Sequence, residues 1–187
     1  MQTNLIVVDD FYGRPDVVRD YALSQEFSIE GNYPGRRTKS LATDEVKSYL
    51  QSFIEPHGGK ITTWVEGYNG AYQYTVATER SWIHTDDNNK WSAMVYLTPN
   101  APLSGGTGFF RHEPTGRTTV PSDPELEKKI MADGQDITRW SLTGAVGNVY
   151  NRLIIFRADQ YHMSMDYFGK NLYDGRLFQT FFFDTEY

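Results

Sequence analysis

"GRLFQTFFFD", Gly175–Asp184, decides how the rest of the chain is read. On a strand, Arg176, Phe178, Thr180 and Phe182 fall on one face, and Leu177, Gln179, Phe181 and Phe183 on the other. The same pattern of short runs rich in aromatic and branched residues recurs upstream in "KITTWVEGY" (60–68), "AYQYTVAT" (71–78), "WSAMVYLT" (91–98), "TGFFRHE" (107–113) and "NRLIIFRA" (151–158). Gly, Pro, Asn and Asp separate these runs, as expected of strands joined by turns. Aromatics make up 15% of the 187 residues, which suits pleated, half-buried surfaces.

The N-terminal part differs. "NLIVVDDF" (4–11) reads as a strand, and "RPDVVRDYAL" (14–23) as a helix with Pro15 in its first turn. On that helix Val17, Val18, Tyr21 and Ala22 share one side. "TDEVKSYLQSFI" (43–54) reads as a second helix, capped by Thr43 or Asp44, with Val46, Tyr49, Leu50 and Phe53 as its buried stripe. "EGNYPGRRTKS" (30–40) reads as a loop, and "EPHGG" (55–59) as a turn carrying His57. A polar excursion at 114–140 holds a candidate helix, "SDPELEKKIMADG", capped by Ser122 or Asp123 and stopped at Gly134. The expected fold is mostly β: a cupin-like jelly roll (double-stranded β-helix) with supporting N-terminal α-helices. It forms one domain over 1–187, with 1–70 as support and 71–187 as the core, interrupted by the loop at 114–140.

Composition excludes several classes of function. There is no cysteine, so disulfides, zinc–thiolate sites and thiol catalysis are out, and a reducing cytoplasm suits the chain. The net charge of −6 argues against a nucleic-acid binder. No apolar run has the length of a membrane span, and "MQTNLIVVDD" lacks the pattern of a signal peptide. Oligomeric state is not legible.

Of the four histidines, His84 stands in "WIHTDD" (82–87), two residues before Asp86. On a strand both side chains point the same way, while Asp87 points away. Two imidazoles and one carboxylate on one face of a metal leave the opposite face open for oxygen and a co-substrate, which is the requirement of a mononuclear iron oxygenase. His162, in "DQYHMS", is the better third ligand. The commoner fate of such a histidine is a turn or a satisfied core position. Arg176 adds a second demand: a guanidinium inside an apolar strand needs an anionic partner. Asp159 or Asp184 would be bland partners, and a bound dicarboxylate a functional one. Thr180 shares the face of Arg176, and Tyr74 and Tyr96 offer phenol groups near it. His112 and Glu113 form a rival pair.

With those residues in place, the chain resembles the 2-oxoglutarate- and Fe(II)-dependent dioxygenases, in particular their prolyl-hydroxylase-like branch. The likeness runs from Tyr72 to Asp184 through "YQYTVATERSWIHTD", "MVYLTPNAPLSGGTGFF", "NRLIIFRADQYH" and "GRLFQTFFFD". The resemblance implies that His84, Asp86 and His162 hold Fe(II). It implies that Arg176 binds the far carboxylate of 2-oxoglutarate, helped by Thr180, Tyr96 and Tyr74. O2 and 2-oxoglutarate would be consumed to hydroxylate a prime substrate, with succinate released. A peptide or protein side chain such as proline is slightly favoured over a small metabolite. Arg36, Arg37 and Trp82 are candidate substrate-facing residues. The alternative is a cupin-like metal- or ligand-binding jelly roll without turnover.

Overall fold

The computed structural model describes residues 3–31, 33–86 and 88–187; the expected outward direction of Asp87 lies outside the described residues. Strand β1 (Leu5–Val8) leads into helix α1 (Pro15–Leu23), the short strands β2 (Ile29–Glu30) and β3 (Arg36–Arg37), and helix α2 (Asp44–Gly58). Then come β4 (Lys60–Trp64), β5 (Tyr72–Thr75), β6 (Trp91–Tyr96) and β7 (Thr107–His112). Helix α3 (Pro124–Ala132) precedes β8 (Trp140–Val146), β9 (Leu153–Arg157), β10 (His162–Ser164) and β11 (Arg176–Glu186).

An 8-stranded antiparallel sheet runs β1-β9-β6-β11-β5-β3-β2, with β4 paired to the C-terminal part of β11. A 3-stranded sheet, β10-β7-β8, faces it, and an antiparallel bridge between His84 and His162 extends that sheet by one short segment. The result is the expected jelly roll. Alternation along the central strands sorts the side chains into two cores. Leu177, Phe181 and Phe183 of β11 join Ala93, Val95, Leu153 and Ile155 on the face covered by the helices. The opposite face, turned to the smaller sheet, gathers Tyr96, Ile154, Phe156 and Phe178 with Phe109 and Val146. Both faces of the large sheet are therefore dry, which explains why β6, β9 and β11 are apolar almost throughout.

The helices follow their caps. The Thr43 side chain accepts from the Val46 amide at 3.4 Å, and the Asp123 carboxylate accepts from the amides of Glu125 and Leu126. Four expectations need correcting. Helix α2 continues through Pro56, so His57 belongs to its last turn and not to a free turn. On α1, of the four residues expected to share one side, only Ala22 is buried; Val17 and Tyr21 stay half exposed. The 30–40 segment is not all loop, since β3 pairs with the edge strand β5. Strand β8 is not among the expected strands: four of its seven positions are exposed, Leu142 among them, and only Trp140 and Val146 at its ends are buried. No helix among the described residues is long and apolar enough to cross a membrane.

Candidate metal centre and acid-binding cradle

His84 and His162 sit opposite each other on neighbouring strand segments. Each backbone amide donates to the other's carbonyl, at 3.0 and 2.9 Å. Such a reciprocal pair puts both side chains on one face, and the two rings lie 4.3 Å apart. Asp86, two residues on, shares that face, and its amide is fixed by the Ala158 carbonyl at 2.8 Å. One ligand atom from each of His84, Asp86 and His162 lies within 4.8 Å of the others. Helix α3 steadies this segment from outside. Ile83 packs in a cluster with Ile130 and Trp140, and its amide donates to the Gly134 carbonyl. The 114–140 excursion is thus a buttress behind the ligand strand.

The hydrogen bonds around the rings decide what the cluster can do. His162 Nδ1 lies 2.8 Å from the Gln160 carbonyl, which can only accept. His84 Nδ1 meets the Trp82 carbonyl at 3.2 Å and the Tyr33 hydroxyl. Both Nδ1 atoms therefore carry the proton, and both Nε2 lone pairs turn inward. There they face the Asp86 carboxylate at 3.5 Å (His84) and 3.3 Å (His162). Lone pairs converging on an anion repel unless a cation lies among them. The donor set, two imidazoles and a carboxylate, suits a divalent transition metal. Burial pushes the His84 imidazole below its ordinary value, and the charge of His162 adds to this. Burial works to raise Asp86, but when the neighbouring rings are protonated the charge and hydrogen bond of His162, then those of His84, hold it well below the usual carboxylate range, the part a metal cation would play against the inward lone pairs. Ser92, the inward residue of β6, donates to Asp86 Oδ2 at 2.9 Å and fixes its orientation.

Arg176 lies on the same interior face and is fully buried. Its Nε donates to the Gly105 carbonyl at 2.8 Å, and one terminal nitrogen approaches the Gly106 carbonyl at 3.4 Å. The other terminal nitrogen has no partner. Asp159 pairs with Arg157, and Asp184 accepts from the Lys90 amide, so neither bland counter-ion serves. The guanidinium lies over the rings of Phe178 (4.5 Å) and Tyr96 (5.3 Å). The glycine pair packs tightly against its neighbours: a Cβ on Gly106 would stand 1.9 Å from the Val146 carbonyl oxygen. Tyr96 hydrogen-bonds Thr107 at 2.7 Å, and burial raises its phenol above the ordinary value against the opposing charge of Arg176. An orphaned buried guanidinium fits an anionic ligand.

Two of the expected acid-binding contacts fail. In β5, Tyr74 pairs with Leu177 and so points to the helix side, where its ring meets Phe27 at 5.2 Å. The phase of β5 is the reverse of the one expected: Gln73 and Thr75 face the interior, and the Thr75 hydroxyl, opposite Arg176, is buried without a partner. Thr180 does share the face of Arg176, but four residues of strand separate their Cα atoms by about 13 Å, with Phe178 between. Its hydroxyl turns to the Ala71 carbonyl at 3.5 Å.

The same register separates the two arginines of β3. Arg36 pairs with Tyr74, points outward and forms an exposed ion pair with Glu30. Arg37 pairs with Gln73 and bonds its side chain at 2.9 Å, on the interior side. Trp82 is half-buried, with its ring against Tyr33. His112 is remote from this cluster in bonding: it is tied to Thr115 and Asp133. Sequence reasoning missed Tyr33, Ser92, Thr75 and Thr107. Ser92 alone carried a signal, as the polar residue that alternates with Met94 and Tyr96.

A family model described as a family of unknown function, DUF6445, matches residues 1–183, so the chain belongs to that family. No curated protein sequence matches it. Among solved structures, HygX from Streptomyces hygroscopicus with nickel and 2-oxoglutarate bound is similar, with a TM-score of 0.68 at 12% identity over 100% of this chain and 84% of that one. SnoN, a non-haem α-ketoglutarate-dependent epimerase from nogalamycin biosynthesis, gives 0.67 at 12% identity over 98% and 79%. A Trichoplax adhaerens prolyl hydroxylase, in complex with a hypoxia-inducible-factor peptide fragment, gives 0.58 at 12% identity over 97% and 83%. The fold is thus that of the iron- and 2-oxoglutarate-dependent oxygenases. The likeness covers the N-terminal part too, beyond the Tyr72–Asp184 span in which the sequence motifs lie.

Proposed function

We propose that this member of the DUF6445 family is a non-haem Fe(II)- and 2-oxoglutarate-dependent oxygenase. The carrying observation is the convergence of the His84 and His162 Nε2 atoms on the Asp86 carboxylate at 3.5 and 3.3 Å, with a buried, partly unpartnered Arg176 on the same interior face. His84, Asp86 and His162 would hold Fe(II). Arg176 would bind the far carboxylate of 2-oxoglutarate by charge-assisted hydrogen bonds, with Tyr96, Thr107 and Thr75 closing the cradle. When bound, iron and 2-oxoglutarate supply oxidative decarboxylation to succinate and an oxidant for a C–H bond of the prime substrate. The protein's part is to keep both imidazoles in one tautomer, hold the carboxylate ionised, and exclude water between two dry sheets.

A cupin-like binder without turnover is the rival. It has no use for an unpaired interior arginine, and this favours the oxygenase. The same reading takes 1–187 as one unit, since β1 is an edge strand of the sheet whose centre is β11. Arg37, not Arg36, would face the prime substrate, with Trp82 beside it. HygX has been solved with hygromycin B and the Trichoplax enzyme with a peptide. For this chain both a peptide side chain and a small metabolite stay within the reading, and the presence of Asp86 favours hydroxylation.

The test is succinate formation by purified protein given Fe(II), ascorbate and 2-oxoglutarate. Succinate above the background without protein, abolished in Asp86→Ala and His162→Ala, is expected. Succinate indifferent to both changes would sink the assignment.

A further inference from the structure

The two histidines of the metal centre are oriented by different means. His162 is held by the carbonyl of Gln160, two residues away on its own turn. His84 is held in addition by a side chain from a distant segment. The Tyr33 hydroxyl contacts both the Trp82 carbonyl and His84 Nδ1. The carbonyl can only accept, so the phenol donates to it and receives the Nδ1 proton of His84. The Tyr33 ring also lies over the imidazole, with centroids 4.0 Å apart, and against Trp82 at 4.4 Å. Burial raises the phenol far above its ordinary value, so it stays a neutral O–H donor.

Tyr33 begins a strap that ends in β3, and the strap is fastened to β5 and its following turn. The Gly35 amide donates to the Glu79 carboxylate at 2.7 Å, and the Gln73 side-chain amide donates to the Pro34 carbonyl at 2.7 Å. Arg37 bonds the Gln73 side chain at 2.9 Å and reaches back to the Tyr33 carbonyl at 3.2 Å. These bonds tie the strap to itself and to the scaffold, whereas the Tyr33 hydroxyl also reaches a ligand, His84.

We propose that Tyr33 is a positioning residue that couples this strap to the metal. Resting on the metal-centre reading above, the inference assigns Tyr33 two linked effects. The phenol fixes the tautomer and tilt of His84, so an ordered strap strengthens metal binding. By reciprocity, metal binding holds the strap in place over the site. The strap then covers the centre more firmly when metal is present than when it is absent.

The experiment uses Co(II) as a visible probe with wild type and Tyr33→Phe, which keeps the ring and drops the hydroxyl. Tyr33→Phe should bind Co(II) about 10- to 100-fold more weakly, the range for loss of a group that orients a ligand. Its cobalt d–d absorption should shift, while the unfolding midpoint of the metal-free protein stays near wild type. Amide exchange at 33–37 should slow on adding Co(II) to wild type and not in the variant. Equal affinity with an identical cobalt spectrum overturns the inference and leaves the metal centre standing. Weaker binding with an unchanged spectrum and a lowered metal-free midpoint also overturns it, in favour of a packing role. A wild-type chain that takes up no Co(II) overturns the metal centre and the inference together.

Discussion

Among the described residues, histidine and aspartate meet at two places, at Asp86 with two rings and at Asp133 with one, and the two places are in opposite states. His112 Nε2 and Asp133 Oδ2 are 2.9 Å apart, closer than either contact at Asp86, yet that pair is complete. Its other ring nitrogen meets the Thr115 hydroxyl at 3.0 Å, which can donate as well as accept, so the ring proton can sit on Nε2 and point at Asp133. The hydrogen bond from His112, and then that from Arg139, holds Asp133 below its ordinary value against the effect of burial. The ring packs on Trp140 at 4.7 Å. At His84 and His162 the Nδ1 protons are directed at the Tyr33 hydroxyl and the Gln160 carbonyl, leaving lone pairs that face a carboxylate. The lesson is that a short histidine–carboxylate distance does not mark a metal site. What marks it is where the other ring nitrogen spends its proton.

That contrast can be broken most sharply by removing one member of each pair. His162→Ala should lose stoichiometric Fe(II) or Ni(II), measured by metal analysis after dialysis, whereas His112→Ala should keep it. Metal retained in the first and lost in the second reverses the assignment. Next in size is Arg176→Met, which should weaken 2-oxoglutarate binding about 10- to 100-fold, the cost of a charged hydrogen-bond partner. Metal content should be unchanged, and stability should not fall, since the buried charge has no ionic partner to lose. Equal losses of metal and acid binding would point to misfolding.

His112→Ala should lower stability measurably in urea unfolding, because a buried ring packed on Trp140 is lost together with its hydrogen bonds to Thr115 and Asp133. A smaller effect concerns pH in the metal-free protein. The folded state holds His84 below its ordinary value, so it binds that proton later than the unfolded chain does. Stability should therefore decline as pH falls below about 6.5 and keep falling until the folded His84 is protonated. The depressed Asp86 adds a further loss as pH falls through the carboxylate range. His84→Ala should flatten the first part of this decline; a slope that survives the change places its origin elsewhere. Smallest of all, Arg36→Ala should alter neither stability nor succinate yield by a measurable amount, because its ion pair with Glu30 is exposed.

How much of this is legible in the sequence follows from burial. The jelly roll is visible because its strands are aromatic, short and punctuated by turns. The grouping of His84, Asp86 and His162 is visible because an i, i+2 pair shares a strand face and few histidines compete. The phase of β5 is not visible. Tyr72 and Tyr74 look like the functional face, but both sides of the sheet are dry, and alternation cannot tell helix side from interior. Strand β8 hides because its middle, residues 142–145, is exposed and only its two ends, Trp140 and Val146, are buried. Tyr33 hides for another reason: it reaches His84 through a strap, and a turn-rich segment carries no period from which a direction can be read.

The central claim is that one acid spans the metal and Arg176, and calorimetric titration of the Ni(II)-loaded protein with 2-oxoglutarate and with pyruvate tests it most directly. Pyruvate offers the same keto acid end but no second carboxylate. The account predicts one 2-oxoglutarate bound per chain, far more tightly than pyruvate, with that preference abolished in Arg176→Met. Equal affinity for the two acids in the wild-type protein would contradict it.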